Sequence, residues 1–285
     1  MAIALPSWLS SYHTGSRIGP AQALFAYADY NCLDGSADFE PDIEERSGYV
    51  PPPMLGYASR TGTRRNLDAL RQAGWRLLVS AAGVLRTEGF QYALDNGAWS
   101  AFQQGTPFDE MAFGKALDLL GENADWVVLP DIVAGGMASL EFSLQWLDRL
   151  QPFPQKLLIA VQDGMCPDDV REYLSPAVGI FVGGSTEWKL ATLDSWSVLA
   201  RRRCCYLHVG RVNSARRIAL CAAAGASSFD GTSATRFADS LPNLDNALSY
   251  AQNQDDLFCL DRDDIDQIPF DCRWKARFDV SAAVQ

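Results

Sequence analysis

The chain has 285 residues, of which 48% are hydrophobic, and it carries a net charge of −11. This length and composition supply a sizeable core and exclude a chain that is disordered by default. The acidic balance argues against a surface that is basic throughout, so any phosphate-binding surface must be local. No apolar run approaches the roughly 20 residues that span a bilayer. The N-terminus lacks the basic start and apolar segment of a signal peptide, which predicts a cytoplasmic protein without membrane contact.

The cysteines predict no metal centre. Seven are present, at positions 32, 166, 204, 205, 221, 259 and 272, and none forms a CxxC pair. A zinc site needs clustered Cys and His, and the chain contains only His13 and His208. We therefore expect reduced and mostly buried thiols, and no metal or cofactor. A meeting of Cys259 and Cys272 in space is left open.

The chain divides into three predicted parts. Residues 1–53 show no regular pattern and are assigned to an N-terminal extension packed on the following domain, and residues 256–285 to a C-terminal tail. Between them, over 54–255, short apolar runs alternate with helical spacing. The predicted strands cover 54–59, 76–82, 90–95, 126–131, 156–162, 178–183, 205–210 and 227–230. The predicted helices cover 63–73, 108–120, 137–150, 187–203, 214–224 and 241–252, and a further helix begins near Pro167.

This alternation predicts the fold. Strands that alternate with helices form right-handed βαβ units and a parallel sheet. Eight such units in this length favour a single (β/α)8 TIM barrel over an open sheet, since the first strand is not followed by a dinucleotide-type glycine turn or a P-loop. In a barrel of this kind, the residues at the carboxyl ends of the strands carry the chemistry.

Several predicted strands end in a polar residue or a glycine, and we expect these ends to meet in one pocket. The residues are Asp95, Asp131, Gln162, Gly183, Gly184, Arg211 and Asp230. Capping of the next helix is an equal alternative for Asp131 and Asp230, and turn or capping roles are alternatives for the amide and the glycines. His208 is expected to be a hydrogen-bonded core histidine. Trp99 and Phe102 are expected to be packing residues.

Such a pocket suits chemistry at a sugar C1′. One carboxylate, for which we choose Asp230, captures the oxocarbenium-like carbon, and the other moves protons on the leaving and entering groups. A further aspartate and an amide match the edge of a purine-like base, and adjacent glycines let backbone N–H groups approach a carbonyl oxygen. The set is consistent with cleaving and remaking an N-glycosidic bond. Spacing alone leaves an O-glycosidase or a metal-dependent lyase open.

The strand ends also resemble a known family. FDGTSATRF is similar to the FDC-x-x-PTR segment that carries the nucleophilic aspartate of tRNA-guanine transglycosylases, and LDNGAWSAF is similar to that family's DSGGFQ segment. LPDIV, AVQDG, FVGGS and YLHVGR follow in the family's order, and the resemblance runs over about residues 54–240. It implies Asp230 as nucleophile and Asp95 as general acid/base. The residues that would hold the heterocycle are Asp131, Gln162, Gly183, Gly184 and Asn96.

Departures from that family indicate one of its branches. The zinc motif that follows the nucleophile in the tRNA enzymes is absent from the sequence, DSGGFQ has become DNGAWSA, and no added RNA-binding domain is recognisable. These features, with PSWL near the N-terminus, resemble the DpdA-type DNA deazaguanine transglycosylases of phages and bacterial islands. The resemblance implies exchange of guanine in DNA for a 7-deazaguanine such as preQ0. DNA, the free base and other proteins of a DNA-modification system would be the partners, in a host cytoplasm if the protein is phage-encoded.

The arginines are unevenly distributed. Five lie between Arg60 and Arg76 and seven between Arg201 and Arg236, on either side of the predicted strand ends. We assign Arg211, Arg216 and Arg236 to nucleic-acid binding, with a solvated helix face as the alternative for each group. Three other functions remain open: exchange on tRNA, a non-catalytic barrel that binds deazapurine or nucleic acid, and a glycoside hydrolase or lyase.

Overall fold

The structure is a computed structural model that describes residues 53–59, 63–236 and 239–253. The predicted tail and all but the last residue of the predicted N-terminal extension lie outside these ranges. Parallel strands close into an eight-stranded barrel in chain order, which confirms the predicted (β/α)8 fold. The strands are β1 Leu55–Ala58, β2 Arg76–Ser80, β3 Tyr92–Asp95, β4 Trp126–Val128, β5 Lys156–Val161, β6 Val178–Val182, β7 Leu207–Val209 and β8 Ser228–Gly231.

Helices surround the barrel and connect its strands. They are α1 Arg64–Gln72, α2 Ala98–Gln104, α3 Glu110–Leu120, α4 Met137–Leu150, α5 Pro167–Val170, α6 Thr186–Arg202, α7 Ala215–Ala223, α8 Ser233–Arg236 and α9 Leu241–Asn253, with single 3-10 turns at Gly121–Asn123 and Arg171–Tyr173. Among the residues described, none of these helices has the length and apolarity to cross a membrane.

The barrel has an inner core and an outer core. The inner cluster contains Tyr57, Leu78, Ala93, Trp126, Val128, Leu158 and Ala160, and a larger cluster fills the space between the strands and the helices. Because side chains alternate along a strand, a residue two positions beyond an inner one faces inward again. Tyr57 lies opposite Asp230 in the register of β1 and β8, and Ser80 lies opposite Asp95 in that of β2 and β3. Asp95 and Asp230 therefore continue the inward-facing rows of their strands at the carboxyl end of the barrel.

A charged cluster lies at the amino end of the barrel. Asp125 pairs with Arg76 at 2.9 Å and accepts the Tyr57 hydroxyl hydrogen bond at 2.9 Å. Arg76 begins β2 and therefore lies at the opposite end of the barrel from the strand ends. The early arginine group had suggested a nucleic-acid surface near the carboxyl ends of the strands, and Arg76 does not belong to such a surface.

The structure differs from the sequence prediction in three places. Strand β4 ends at Val128 rather than at residue 131, because Pro130 has no N–H to give to the ladder, and Asp131 follows in the loop. Residues 98–104 form helix α2, which the sequence did not predict. This helix begins after Gly97, which lies in the left-handed region with φ of 85° and, as the N-cap residue, has no side chain to cap the helix. Trp99 and Phe102 lie on α2, and they are 39% and 52% exposed rather than packed in the core.

Candidate active site

Asp230 lies at the centre of the polar groups at the barrel mouth. It ends the inward row of β8 and is 4% exposed. Its Oδ1 accepts a hydrogen bond from the backbone N–H of Arg211 at 3.1 Å and lies 3.1 Å from Nε2 of His208. Its Oδ2 accepts from the hydroxyl of Ser59 at 2.6 Å. Three donors from two strands, β1 and β7, therefore hold one carboxylate on β8.

These donors keep Asp230 ionised despite its burial. Burial alone would raise the pKa of the carboxyl, but the hydrogen bonds from His208, Ser59 and the Arg211 backbone hold the pKa below its usual value. Burial lowers the pKa of His208, which keeps the ring neutral at pH 7. An ionised Asp230 can only accept, so Nε2 carries the proton and Nδ1 accepts from the Ser228 hydroxyl at 2.7 Å. His208 is thus the satisfied buried histidine that was expected, with Asp230 as its partner.

Helix capping does not explain Asp230. The first N–H groups after β8, those of Thr232 and Ser233, donate to the side chain of Asn213 at 2.9 and 3.0 Å. Asn213 follows β7, so the cap comes from the neighbouring strand. The Asp230 carboxylate is free of that role and faces the barrel mouth.

Asp95 lies across the same mouth at the end of β3 and has the opposite electrostatic character. The pKa of its carboxyl is raised to about 6, mainly by burial and also by the charges of Asp230 and Asp131, while the Ser80 hydroxyl and the Gly97 N–H act the other way. Its carboxylate accepts from the Gly97 N–H at 3.2 Å. The two carboxyls that the sequence singled out are therefore close enough to interact and differ in proton affinity.

Asp131 is tied to the same loop through Asn96. The Asn96 amide nitrogen donates to Asp131 Oδ1 at 2.7 Å and to the Leu129 carbonyl at 2.7 Å, and its oxygen accepts from the Ala98 N–H at 2.8 Å. With its oxygen and its nitrogen both engaged, buried Asn96 orients Asp131. Burial raises the pKa of Asp131 to about 6. Asp131 is partly exposed and is not a helix cap, since the next helix, α4, begins at Met137 with Gly136 as its N-cap residue.

The β5 and β6 ends supply an amide and two glycines. Gln162 is 4% exposed, and its Nε2 donates to the Ile132 carbonyl at 2.8 Å, which joins it to the Asp131 loop. The N–H of Gly183 pairs with the Val161 carbonyl at 2.8 Å. Gly184 has a φ of 71°, and a Cβ there would lie 2.5 Å from the Asp163 carboxylate, so this position requires glycine.

Arg211 links two sides of the mouth. It has a φ of 60°, a conformation that costs a residue with a side chain about 1–3 kcal/mol. Its guanidinium donates to the Gly184 carbonyl and lies 4.5 Å from the ring centroid of Trp99. Because Trp99 follows β3 and Arg211 follows β7, this contact crosses the mouth above the carboxylates. Arg216 and Arg236 are exposed on α7 and α8, which follow β7 and β8.

A cavity of about 480 Å³ lies beside Asn96 and Gly97, between the loop after β2 and helices α2 and α3, and its lining includes none of the three aspartates. Within the described ranges, no group of three or more His, Cys, Asp or Glu side chains is arranged to hold a metal ion. Cys259 and Cys272 lie outside those ranges.

The sequence prediction missed four contributors to the site. Ser59 and Ser80 occupy the ends of β1 and β2, and asking which residue ends every strand would have found both. Asn213 and Lys189 had no such signal. Lys189 lies inside a helix, and only the packing of α6 against the barrel brings its amine to the carbonyl of Gly210, at the end of β7.

The fold and the site define a (β/α)8 barrel with an acidic cluster at its carboxyl end. No family model and no curated protein matches the chain. Among solved structures it is similar to tryptophan synthase from M. tuberculosis. The ligand-free mutant form is 15% identical, with a TM-score of 0.42 over 71% of this chain and 92% of that one. The aminoacrylate-bound form is 14% identical, with a TM-score of 0.40 and the same coverage.

Proposed function

We propose that the protein is a base-exchange transglycosylase that replaces guanine in DNA with a 7-deazaguanine base of the preQ0 type. One observation carries this proposal: two interacting carboxyls at one barrel mouth have pKa values displaced in opposite directions, Asp230 downward and Asp95 to about 6. A carboxylate nucleophile must be ionised, whereas an acid/base group works best with a pKa near the working pH. We therefore give Asp230 the role of nucleophile and Asp95 the role of general acid/base.

In the first half-reaction Asp230 attacks the sugar. Its Oδ1 is held by the His208 ring and the Arg211 N–H, whereas Oδ2 accepts from the rotatable Ser59 hydroxyl. Oδ2 is therefore the oxygen that we assign to bond formation with C1′. The C1′–N9 bond breaks, its electron pair leaves with guanine, and the carboxylic acid form of Asp95 supplies the proton that the departing base takes up.

The second half-reaction reverses these steps with a different base. The ionised Asp95 takes the ring N–H proton of the incoming 7-deazaguanine, whose nitrogen then attacks C1′. The ester bond to Asp230 Oδ2 breaks, and the carboxylate returns to its hydrogen bonds. Bonds and protons balance over the two halves, so the exchange needs no cofactor or oxidant.

The neighbouring groups can hold a purine-like base. Asp131 is partly exposed and oriented by Asn96, so its carboxylate can accept from the ring N–H and amino donors of guanine. Gln162 uses its nitrogen on the Ile132 carbonyl, which leaves the amide oxygen for a base donor. Gly183 pairs with Val161, so we assign the carbonyl of the base to the N–H of Gly184.

The rim of the barrel fits a displaced strand of nucleic acid. Exposed apolar side chains follow β2, β3 and β4, namely Val84, Trp99, Phe102, Ile132 and Met137. The basic residues Arg211, Arg216 and Arg236 follow β7 and β8. Bases would lie on the apolar side and phosphates on the basic side. The target base must leave the duplex to reach carboxylates buried in the mouth. The choice of DNA over tRNA rests on the sequence resemblance.

Incorporation of labelled base tests the function. Radiolabelled guanine or preQ0 is incubated with the protein and either duplex DNA or tRNA, and the label in the recovered polymer is counted. We expect label in DNA and none in tRNA, no label with Asp230→Asn, and wild-type incorporation with the control Asp194→Asn on the exposed face of α6.

Other results would redirect the assignment. Label in tRNA alone would refute DNA as the substrate and favour exchange on tRNA. Wild-type incorporation by Asp230→Asn would refute the nucleophile. Absence of label in both polymers, with reducing sugar released from a β-glycoside, would replace exchange by glycoside hydrolysis. Trapping a covalent sugar adduct on Asp230, identified by peptide mass spectrometry, would support the proposed intermediate directly.

A further inference from the structure

Lys189 is a buried cation that the exchange chemistry does not use. It lies in α6 and is 6% exposed. Lysine is among the residues least often buried to this extent, and a buried ammonium needs a partner. The amine of Lys189 donates to the backbone carbonyl of Gly210. That carbonyl lies at the end of β7, one residue beyond the strand.

The carbonyl that accepts from Lys189 and the N–H of Arg211 belong to the same peptide group. This N–H donates to Oδ1 of Asp230 at 3.1 Å. The amine therefore reaches the carboxylate through a single peptide unit, with the lysine on the oxygen side and the aspartate on the nitrogen side. Hydrogen bonds in such chains polarise one another, so a cation on the carbonyl makes the N–H a stronger donor.

The backbone at this point needs a restraint. Arg211 has a φ of 60°, in a region that a residue with a side chain seldom adopts. Gly210 permits the close approach of the chain, since a Cβ there would lie 2.8 Å from the ring of Phe181 and 3.4 Å from Asp230 Oδ1. The peptide between Gly210 and Arg211 thus has its orientation in an unfavourable backbone conformation. The hydrogen bond from Lys189 holds the carbonyl oxygen of this peptide on the side away from the carboxylate.

We propose that Lys189 is a positioning residue for Asp230: its ammonium orients and polarises the peptide between Gly210 and Arg211, which keeps the Arg211 N–H directed at the carboxylate. The proposal deepens the proposed function, and its kinetic consequence rests on that function. Its structural part concerns the ionisation of Asp230 and can be tested without any substrate.

The charges around Lys189 make this link depend on pH. The pKa of the amine is lowered to about 8, mainly by burial and also by the charges of Arg211 and Arg217, while those of Asp230 and Cys221 act the other way. The nearby ring of His208 is neutral. Lys189 is therefore protonated at neutral pH and loses its proton as the pH rises through about 8. The Arg211 N–H should weaken as a donor over the same interval.

The first test uses Lys189→Met, which keeps the length of the side chain and removes its charge. The carboxyl of Asp230 is titrated by 13C NMR in the wild type, in this variant and in the control Lys115→Met on the exposed face of α3. We expect the Asp230 midpoint to rise by about one pH unit in Lys189→Met and to stay unchanged in the control. In exchange assays we expect kcat to fall about tenfold with KM unchanged. Lys189→Arg, which keeps the charge, should restore part of both.

A second measurement needs only the wild-type protein and remains decisive if Lys189→Met does not fold. The amide proton shift of Arg211 is followed from pH 7 to 9 together with the Nζ signal of Lys189. We expect the two to change with one midpoint. An Arg211 amide that does not respond while Lys189 titrates would overturn the proposal, and so would an unchanged Asp230 midpoint in a folded Lys189→Met protein. Both NMR results stand whether or not base exchange is found, so they separate this proposal from the proposed function.

Discussion

Replacing Asp95 with Asn should stabilise the folded protein at neutral and higher pH. The folded state raises the pKa of this carboxyl from 3.8 to about 6, mainly through burial. Above pH 7 the folded protein holds an ionised Asp95 in a site that favours the neutral form. Asn is neutral and nearly isosteric, and its oxygen can still accept from the Gly97 N–H. The variant therefore removes the free-energy cost of holding an ionised carboxylate in this site and retains the hydrogen bond from the Gly97 N–H.

The size and the pH range of this gain follow from linkage. A pKa raised from 3.8 to about 6 corresponds to about 3 kcal/mol of destabilisation once both states are ionised. Asp95 is partly exposed and solvent screens its charge, so we expect a measured gain of about 1–3 kcal/mol. Below pH 3.8 both states bind the proton and the gain vanishes. It grows between pH 4 and 6 and is complete above about pH 7.

Urea unfolding followed by tryptophan fluorescence at pH 4 and pH 8 measures this difference. Asp95→Asn should be more stable than the wild type at pH 8, and the difference should shrink to about 0.6 kcal/mol or less at pH 4. The control Asp194→Asn, at an exposed position of α6, should show no gain that depends on pH. An Asp95→Asn protein no more stable than the wild type at pH 8 would refute the electrostatic account of the site.

Three further predictions follow. In single-turnover experiments, formation of the sugar–enzyme ester should slow as the pH rises through about 6, because Asp95 must give a proton in that step. Capture by the second base should slow as the pH falls through the same value, because Asp95 must then take a proton. Equal pH profiles for the two steps would contradict the acid/base role of Asp95. Gly97→Ala should lower the free energy of unfolding in urea by about 1–3 kcal/mol, because φ is 85° and a Cβ would lie 2.8 Å from a backbone nitrogen in the loop after β2. The control Gly105→Ala, with φ of 65° and no atom within 4 Å, should cost less. Equal losses in the two variants would show that the steric clash at Gly97 contributes nothing. Ser59→Ala should raise the pKa of Asp230, because it removes a donor 2.6 Å from Oδ2, and a carboxyl titration by 13C NMR that matches the wild type would contradict this.

The barrel could be predicted because its signals are local. Each strand is an apolar run buried on two sides, and each long helix carries its own period, so strand order followed from chain order. Helix α2 carries no such signal: it is seven residues long, its N-cap residue is a left-handed glycine, and it exposes Trp99 and Phe102. The early end of β4 could have been predicted from Pro130, which cannot donate to a ladder.

By itself the sequence determined which chemical groups stand at the barrel mouth, because a parallel strand delivers its last residue to a known end of the fold. Asp95 and Asp230 both lie at the carboxyl ends of buried strands, before a turn and a helix, so nothing local distinguishes their proton affinities. The tertiary structure decided that difference. Donors from β1 and β7 surround Asp230, while Asp95 is partly buried beside other carboxylates. A pKa depends on every charge and donor within a few ångströms, and those neighbours come from strands far apart in the chain.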